Sequence, residues 1–208
     1  MSDPDGGDGP CASDAPEDRA APTAEPGIDV TTPRLHLRPF RAGDATALHA
    51  YLSHPDAVRY EPYGVLDPDA AAREAERRAH DPAFVAVSLR STGTLVGNLY
   101  LAGEGPAEWH TWQLGYVFHP AHWGHGYATE ACTALLDHVF TVRRAWRVVA
   151  RCDPRNERSW ALLERLGMRR EGHHLRAASF TADADGHRVW HDTYVYALLA
   201  DEWTRPPS

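Results

Sequence analysis

The stretch Val117-Phe-His-Pro-Ala-His-Trp-Gly-His-Gly-Tyr-Ala-Thr-Glu-Ala131 joins an apolar segment, a loop with two glycines and a helical pattern. The apolar run at 114–118 predicts a strand, which Pro120 ends because proline cannot donate to a sheet. After Gly124 and Gly126, apolar residues recur at the spacing of one helix face, at positions 128, 131, 132, 135, 136 and 139. The stretch therefore predicts a strand, a loop and a helix in that order.

The glycine loop predicts an anion site. Glycine lets the backbone approach a ligand closely, and the first N–H groups of a helix attract negative charge, so such a loop suits a phosphate. The loop at 124–129 lacks the third glycine of a dinucleotide fingerprint, and the chain contains no lysine, which a Walker loop needs. Both nucleotide motifs are therefore excluded, and an ordinary tight turn between strand and helix remains the alternative.

Three segments together resemble the GNAT acetyltransferase superfamily. Residues 123–128 are similar to its acetyl-CoA pyrophosphate loop, Gln/Arg-x-x-Gly-x-Gly/Ala, although Trp123 departs from the Gln/Arg position. Residues 156–168 are similar to the Asn-x-x-Ser…Leu-Gly-Phe segment of the branch that acetylates ribosomal-protein N termini, and residues 32–40 are like the first strand of that branch. The resemblance spans about residues 31–203 and implies an N-acetyltransferase that uses acetyl-CoA.

The resemblance also implies which residues contact acetyl-CoA. Val117 and Phe118, at the end of the strand, are candidates to present backbone groups to the pantetheine and the thioester carbonyl. Asn156 is a natural helix N-cap, and the asparagine of the family at this place also bonds the pantetheine arm, which one side chain can do with its second amide group. The remaining expected contacts lie in the loop, at Trp123, Gly124, His125, Gly126, Tyr127, Ala128 and Thr129.

Acetyl transfer to an amine needs a held thioester, a route for the amine proton and help for the departing thiolate. Ser159 is the candidate proton donor to the sulfur, because the tyrosine that the superfamily often uses is replaced here by Trp160. An ordinary first-turn serine is the alternative. The candidates for the base are Glu61, Glu108 and His110; His110 matches best by its reference pKa of about 6.5, unless it is simply an exposed loop histidine.

The acceptor decides how much a base is needed. A protein α-amine has a pKa near 8, so roughly a tenth is neutral at pH 7, whereas a lysine amine near 10.4 is almost wholly charged. The lack of an obvious base thus favours a protein N-terminal α-amine, while a small-molecule amine, such as an antibiotic or a biosynthetic amine, remains open. A non-catalytic acyl-CoA-binding module is another alternative. So is a metal-binding protein that uses His119, His122 and His125, but loop histidines without a carboxylate indicate zinc only weakly, and we expect no metal.

Composition divides the chain into a tail, 1–28, and a domain, 29–208. The tail has no aromatic residue, and we expect it to be disordered because it cannot bury enough apolar area to offset its ordering entropy. Eight acidic residues and one arginine among the first 30 account for −7 of the net charge of −8. The domain is therefore nearly neutral, which argues against a nucleic-acid partner.

The chain shows neither a signal peptide nor an apolar run of membrane length, so we expect a cytoplasmic protein without membrane contact. Its three cysteines form no CxxC pair and predict free thiols. A monomer and a homodimer both remain possible.

The element pattern predicts an α/β (α+β) fold, in which helices cover a mixed sheet. The resemblance implies a GNAT-like, mostly antiparallel central sheet. In the resembled family, the helix–loop–helix that contains the aromatic loop at 59–64 borders the acceptor pocket. The alternative is a packing loop whose tyrosines cover the core. Strands are predicted at 35–38, 84–89, 95–101, 109–118, 147–152 and 189–199, with one more strand to which the segment 166–171 leads, and helices at 42–52, 67–79, 128–141 and 156–167.

Overall fold

The computed structural model describes residues 27–182 and 185–204. Within these residues, eight strands form one sheet in the order β1-β2-β3-β4-β5-β6-β8-β7. All neighbours are antiparallel except β5 and β6, so the predicted mixed, mostly antiparallel sheet is confirmed. The strands are β1 Val30–Thr31, β2 Leu35–Pro39, β3 Phe84–Leu89, β4 Leu95–Gly103, β5 Thr111–Phe118, β6 Arg147–Cys152, β7 Arg169–Ala182 and β8 Arg188–Leu199.

Helices lie on both faces of the sheet. They are α1 Ala45–Leu52, α2 Pro55–Val58, α3 Pro68–Ala79, α4 Tyr127–Thr141 and α5 Glu157–Arg165. Side chains alternate along a strand, and the core follows this alternation. Val85 and Val87 pack in the cluster that contains α4 and α5, whereas Ala86 packs in the cluster that contains α1 and α3. None of the helices in the described ranges combines the length and the apolar character that crossing a membrane requires.

The helix predicted after the glycine loop is confirmed in type and position. Five of its six predicted apolar positions are buried against the sheet, namely Ala131, Cys132, Leu135, Leu136 and Val139, and the sixth, Ala128, is partly buried. The buried stripe fixes α4 across the sheet, so its N-terminus stands at the end of β5, where the loop begins.

Several predicted boundaries differ from the structure. The strand predicted from residue 109 begins at Thr111, because His110 adopts a left-handed conformation with φ of 44° after a turn of 3₁₀ helix at Ala107–Trp109. The helix predicted at 42–52 opens with a 3₁₀ turn, Ala42–Asp44, and the short α2 was not predicted. Ile28, which the sequence analysis placed in the tail, is 1 % exposed and belongs to the core. Residues 1–26 lie outside the described part of the chain.

The sheet opens between β5 and β6. Their parallel pairing runs from Thr111 and Arg147 to Leu114 and Ala150, and both strands then continue without pairing to each other. On its other side, β5 stays paired with β4 as far as Phe118. The separation produces a cleft of about 1050 Å³, which also reaches α3, α5 and the β7–β8 hairpin.

Candidate active site

The cleft brings together residues that are far apart in the chain. Its lining includes Glu61 from the loop before α3, Tyr116 and Val117 from β5, Cys152 from β6, and Ser159 from α5. Polar groups that converge in a concave site are the usual mark of a binding or catalytic centre. We therefore treat this cleft as the candidate active site.

The glycine loop has the backbone conformation that its sequence suggests. Gly124 and Gly126 both have φ of +78°, a left-handed conformation that side chains disfavour, and Gly126 is the N-cap of α4. A Cβ atom at Gly124 would have open space around it. The N-terminus of the fifteen-residue α4 thus meets a bare, open stretch of backbone, which suits a phosphate group.

Trp123 connects the loop to the end of β5. Its indole Nε1 donates to the carbonyl oxygen of Phe118 at 2.9 Å, and the guanidinium of Arg158 lies 4.3 Å from the centre of its ring. Phe118 was a candidate to present a backbone group to the pantetheine or the thioester carbonyl, and its own carbonyl oxygen already has a partner within the chain. Val117 lines the cleft itself. Trp123 fixes the loop through this bond, whatever stands at the same position in the resembled family.

Asn156 caps α5, as predicted. Its Oδ1 accepts from the backbone N–H of Ser159 at 3.2 Å, and the side chain lines the cleft. The cap uses only the oxygen of the amide. The Nδ2 group is not part of it, which is the arrangement that a second role for this side chain requires.

Ser159 and Tyr116 form a hydroxyl pair inside the cleft. Their side-chain oxygens are 2.9 Å apart, and the Tyr116 hydroxyl also donates to the Ser159 carbonyl oxygen at 3.1 Å. Burial raises the pKa of Tyr116 well above 10, and nearby Cys132, Cys152 and Glu61 raise it further against the lowering effect of the bond to Ser159. Both hydroxyls thus stay protonated at neutral pH and can donate a hydrogen bond.

Cys152 stands beside this pair. Burial raises the pKa of its thiol to about 11, and a hydrogen bond with Ser159 lowers it only in part. Cys132, on α4, is also a free, buried cysteine. At neutral pH the Cys152 thiol is protonated and thus a poor nucleophile, which leaves the hydroxyl pair as the reactive polar groups on this wall.

Glu61 is the predicted base that lies in the cleft. Burial raises its pKa to about 7, although the positive charge of Arg78 and a hydrogen bond with Tyr63 lower it. Arg78 is 1 % exposed, and it donates to Glu74 at 2.7 Å and to Asn98 at 3.0 Å. A carboxyl group with a pKa near 7 exchanges protons readily at neutral pH.

Glu108 and His110 lie at the opposite end of β5, outside the cleft. Both are exposed, and the His110 ring packs 5.0 Å from that of Trp146, with the ring centroids as reference. His110 was preferred as the base because of its reference pKa, but a reference pKa does not tell where the side chain lies in the folded protein. The structure does not bring it together with Ser159 and Glu61.

Sequence reasoning missed Tyr116 and the pair formed by Asp153 and His191. Asp153 Oδ2 is 3.4 Å from His191 Nδ1, and both side chains line the cleft. The alternation of β5 contained a signal for Tyr116, because it is the one hydroxyl on the strand face that also carries Leu114 and Phe118. No local pattern connects Asp153 with a residue of β8, since strand pairing brings them together.

Two of the three loop histidines, His119 and His125, contact other groups of the loop. His119 Nδ1 accepts from the backbone N–H of Ala121 at 3.1 Å, and the His125 ring stacks on Tyr127 with centroids 5.5 Å apart. Burial lowers the pKa of His119, as does nearby His122. Among the described residues, no group of three or more His, Cys, Asp or Glu side chains is arranged to hold a metal ion.

Comparison with known proteins agrees with the geometry of the cleft. Residues 34–169 match the model of the acetyltransferase (GNAT) domain. The chain is 33 % identical over 180 residues to an uncharacterized N-acetyltransferase of Bacillus subtilis, YnaD, which covers 85 % of this chain and 99 % of the relative. It is 34 % identical over 95 residues to the [ribosomal protein uS5]-alanine N-acetyltransferase of Escherichia coli, 46 % of each chain. The crystal structure of a GNAT-family acetyltransferase from Bacillus anthracis superposes with a TM-score of 0.76 at 30 % identity, covering 84 % of this chain and 99 % of that one.

Proposed function

Because the chain belongs to the GNAT family of N-acetyltransferases, we propose that it transfers the acetyl group of acetyl-CoA to the α-amine of a protein N terminus. The neutral amine attacks the thioester carbonyl directly, a C–N bond forms, the C–S bond breaks, and coenzyme A leaves as its thiol. The observation that carries this proposal is the cleft between β5 and β6, which brings together Glu61, Tyr116 and Ser159; its lining includes Val117, near the end of the strand that leads into the glycine loop.

The glycine loop and Asn156 fit the acetyl donor. In the proposed complex, the pyrophosphate lies at the N-terminus of α4, where Gly124 and Gly126 allow the backbone to approach. The pantetheine then follows the open end of β5 past Val117, and the Nδ2 group of Asn156 donates to it. The further proposed contacts are those of Trp123, His125, Tyr127, Ala128 and Thr129.

Glu61 is the proposed base. With its pKa raised to about 7, the Glu61 carboxylate can accept the amine proton near neutral pH. The hydroxyl pair of Tyr116 and Ser159 is proposed to assist the other end of the reaction. One of these hydroxyls donates to the departing sulfur, and the second keeps the first oriented.

The pKa of Glu61 also bears on the acceptor. Transfer of a proton to Glu61 is much less unfavourable from an α-ammonium group, with a pKa near 8, than from a lysine near 10.4. The E. coli relative, whose name specifies an alanine of ribosomal protein uS5, supports the same acceptor class. We further propose that the reaction takes place in the cytoplasm, in keeping with the free thiols of Cys132 and Cys152.

An acetyl-transfer screen with mass detection tests the proposal. The panel contains peptides with a free N terminus, the same peptides with a blocked N terminus and an internal lysine, polyamines and aminoglycosides. We expect kcat/KM for the free N termini to exceed that for the blocked lysine peptides by about tenfold or more. A higher kcat/KM for a polyamine or an aminoglycoside would show that the acceptor is a small-molecule amine and not a protein N terminus. Binding of acetyl-CoA without transfer to any amine would instead indicate an acyl-CoA-binding module.

A further inference from the structure

Arg34, in the turn between β1 and β2, forms hydrogen bonds with the glycine loop and with the first turn of α4. Its Nη1 donates to the carbonyl oxygen of His125 at 2.9 Å, and its Nε donates to Glu130 Oε2 at 2.6 Å. The backbone N–H of Arg34 donates to the other oxygen of Glu130 at 2.9 Å. One arginine thus connects a turn near the start of the domain to the loop and to the first turn of α4.

Glu130 is itself held in place. Thr32 Oγ1 donates to Glu130 Oε1 at 2.6 Å, and the side chain of Glu130 is 15 % exposed. Burial alone would raise the pKa of Glu130, but the hydrogen bonds from Thr32 and Arg34 bring that pKa below its ordinary value. The carboxylate is therefore charged. Its Oε2 accepts from the guanidinium Nε of Arg34, while its Oε1 accepts from the Arg34 backbone N–H and from Thr32, so Glu130 holds both the side chain and the backbone of Arg34.

The guanidinium is also stacked on the loop. It lies 4.8 Å from the centre of the Tyr127 ring, and this ring stacks on that of His125. The Nη2 atom of Arg34 is 3.4 Å from the position that a Cβ atom on Gly126 would occupy. Arg34 therefore contacts the peptide between His125 and Gly126 from one defined side.

Peptide geometry gives this contact a consequence. In a planar trans peptide, the C=O of one residue and the N–H of the next point in opposite directions. The bond from Arg34 directs the His125 carbonyl toward the turn, so the N–H of Gly126 points away from it. This N–H belongs to the N-cap residue of α4, at the place where an anion would bind.

We infer that Arg34 is a positioning residue for the acetyl donor: by holding the His125 carbonyl, it presents the Gly126 N–H to the pyrophosphate, and it offsets the charge of Glu130 beside that group. The inference rests on the proposed use of acetyl-CoA. It concerns only the pyrophosphate, so it distinguishes acetyl-CoA from acetyl-pantetheine, a donor that lacks this group.

Calorimetry and donor kinetics test the role of Arg34. We expect Arg34→Ala to raise the acetyl-CoA Kd by about tenfold, with kcat at saturating acetyl-CoA within about twofold of wild type. With acetyl-pantetheine as donor, kcat/KM should not change. Glu130→Ala should weaken acetyl-CoA binding less in the Arg34→Ala background than in the wild type, because both side chains act through one contact.

Arg90 offers a matched control. Its Nη1 donates to the carbonyl oxygens of Thr32 and Pro33, so Arg90→Ala disturbs the same turn without removing a bond to the loop. We expect its acetyl-CoA Kd to stay within about twofold of wild type. An unchanged Kd in Arg34→Ala, or an equal loss with acetyl-pantetheine, would overturn the positioning role. Failure of the wild-type chain to bind acetyl-CoA would instead overturn the proposed function.

Discussion

The glycine loop and the cleft are built in different ways. In the loop, the groups proposed to contact the acetyl donor are mostly backbone groups of one continuous segment, 117–130, which contains two left-handed glycines. In the cleft, Glu61, Tyr116, Cys152 and Ser159 come from four separate elements. The difference teaches that a site made of local backbone can be recognised from spacing, whereas a site made of converging side chains depends on the fold.

The largest expected effect concerns the glycine loop. Gly126→Glu should abolish measurable acetyl-CoA binding, a loss of more than about a hundredfold, because it strains a residue at φ of +78° and adds a carboxylate beside the proposed pyrophosphate. Titration calorimetry measures the effect. Gly93→Glu is the matched control, because Gly93 has φ of +74° with open space around its Cβ position, in the turn between β3 and β4. Equal acetyl-CoA affinity in the two variants would show that the glycine loop does not contact the acetyl donor.

The next largest effect is expected for Glu61, in the cleft. Glu61→Gln should lower kcat by roughly a hundredfold and leave the acetyl-CoA Kd unchanged, because an amide cannot accept the amine proton. The wild-type kcat should rise with pH through about 7, since the raised pKa of Glu61 leaves the carboxyl protonated and inactive below that value. This inflection should disappear in Glu61→Gln.

Two exposed residues sharpen the test of Glu61. Glu108→Gln removes a carboxylate outside the cleft, and we expect it to retain wild-type kcat. His110→Gln should do the same. If His110→Gln lost the pH inflection while Glu61→Gln kept it, the base would be the histidine, and a route between it and the cleft would have to exist.

A smaller effect is expected for the hydroxyl pair. Ser159→Ala and Tyr116→Phe should each lower kcat by about tenfold, with little change in the acetyl-CoA Kd. Acid assistance is modest here because a thiol with a pKa near 8.5 already leaves as a tolerable thiolate. The double variant should lose less than the product of the single losses, since the two hydroxyls share one hydrogen bond. Full kcat in both single variants, with chemistry limiting the rate, would assign the proton to water.

The smallest effect is expected for Asn156, which caps α5 and also lines the cleft. Asn156→Ala should raise the acetyl-CoA KM about threefold and lower the free energy of unfolding by about 1 kcal/mol, through loss of the cap. Asp67→Ala removes the corresponding cap of α3, where Asp67 Oδ1 accepts from the Ala70 N–H at 2.7 Å. It should cost similar stability without a change in KM. If the two variants matched in KM as well, Asn156 would only be a cap.

The sequence predicted most of what is local. The apolar stripe of α4, the two glycines and the cap at Asn156 are properties of neighbouring residues, and they are found where spacing put them. The order of elements was enough for a mixed sheet. The burial of Ile28 was not predicted, because a single branched residue in an acidic, proline-rich segment has no periodic partner that marks it as core.

The chemistry of the cleft was harder to predict. His110 was preferred because its reference pKa is near neutral, yet the group with a pKa of about 7 in the cleft is Glu61, and burial causes that shift. Burial depends on how the loop before α3 packs over the sheet, which no local spacing records. Tyr116 meets Ser159 only because the fold brings the first turn of α5 to β5, a relation between segments about forty residues apart.

The short parallel seam between β5 and β6 has a consequence for folding. On either side of it, strands are joined in antiparallel fashion, β1 to β5 in one half-sheet and β6, β8 and β7 in the other. The seam itself consists of four residue pairs and requires the long crossover through α4. Closing a long crossover costs more chain entropy than forming a hairpin, so we expect this seam to form after the hairpins of each half. The cleft lies where the seam ends and takes its lining from both half-sheets, so we expect neither half of the chain to carry activity alone.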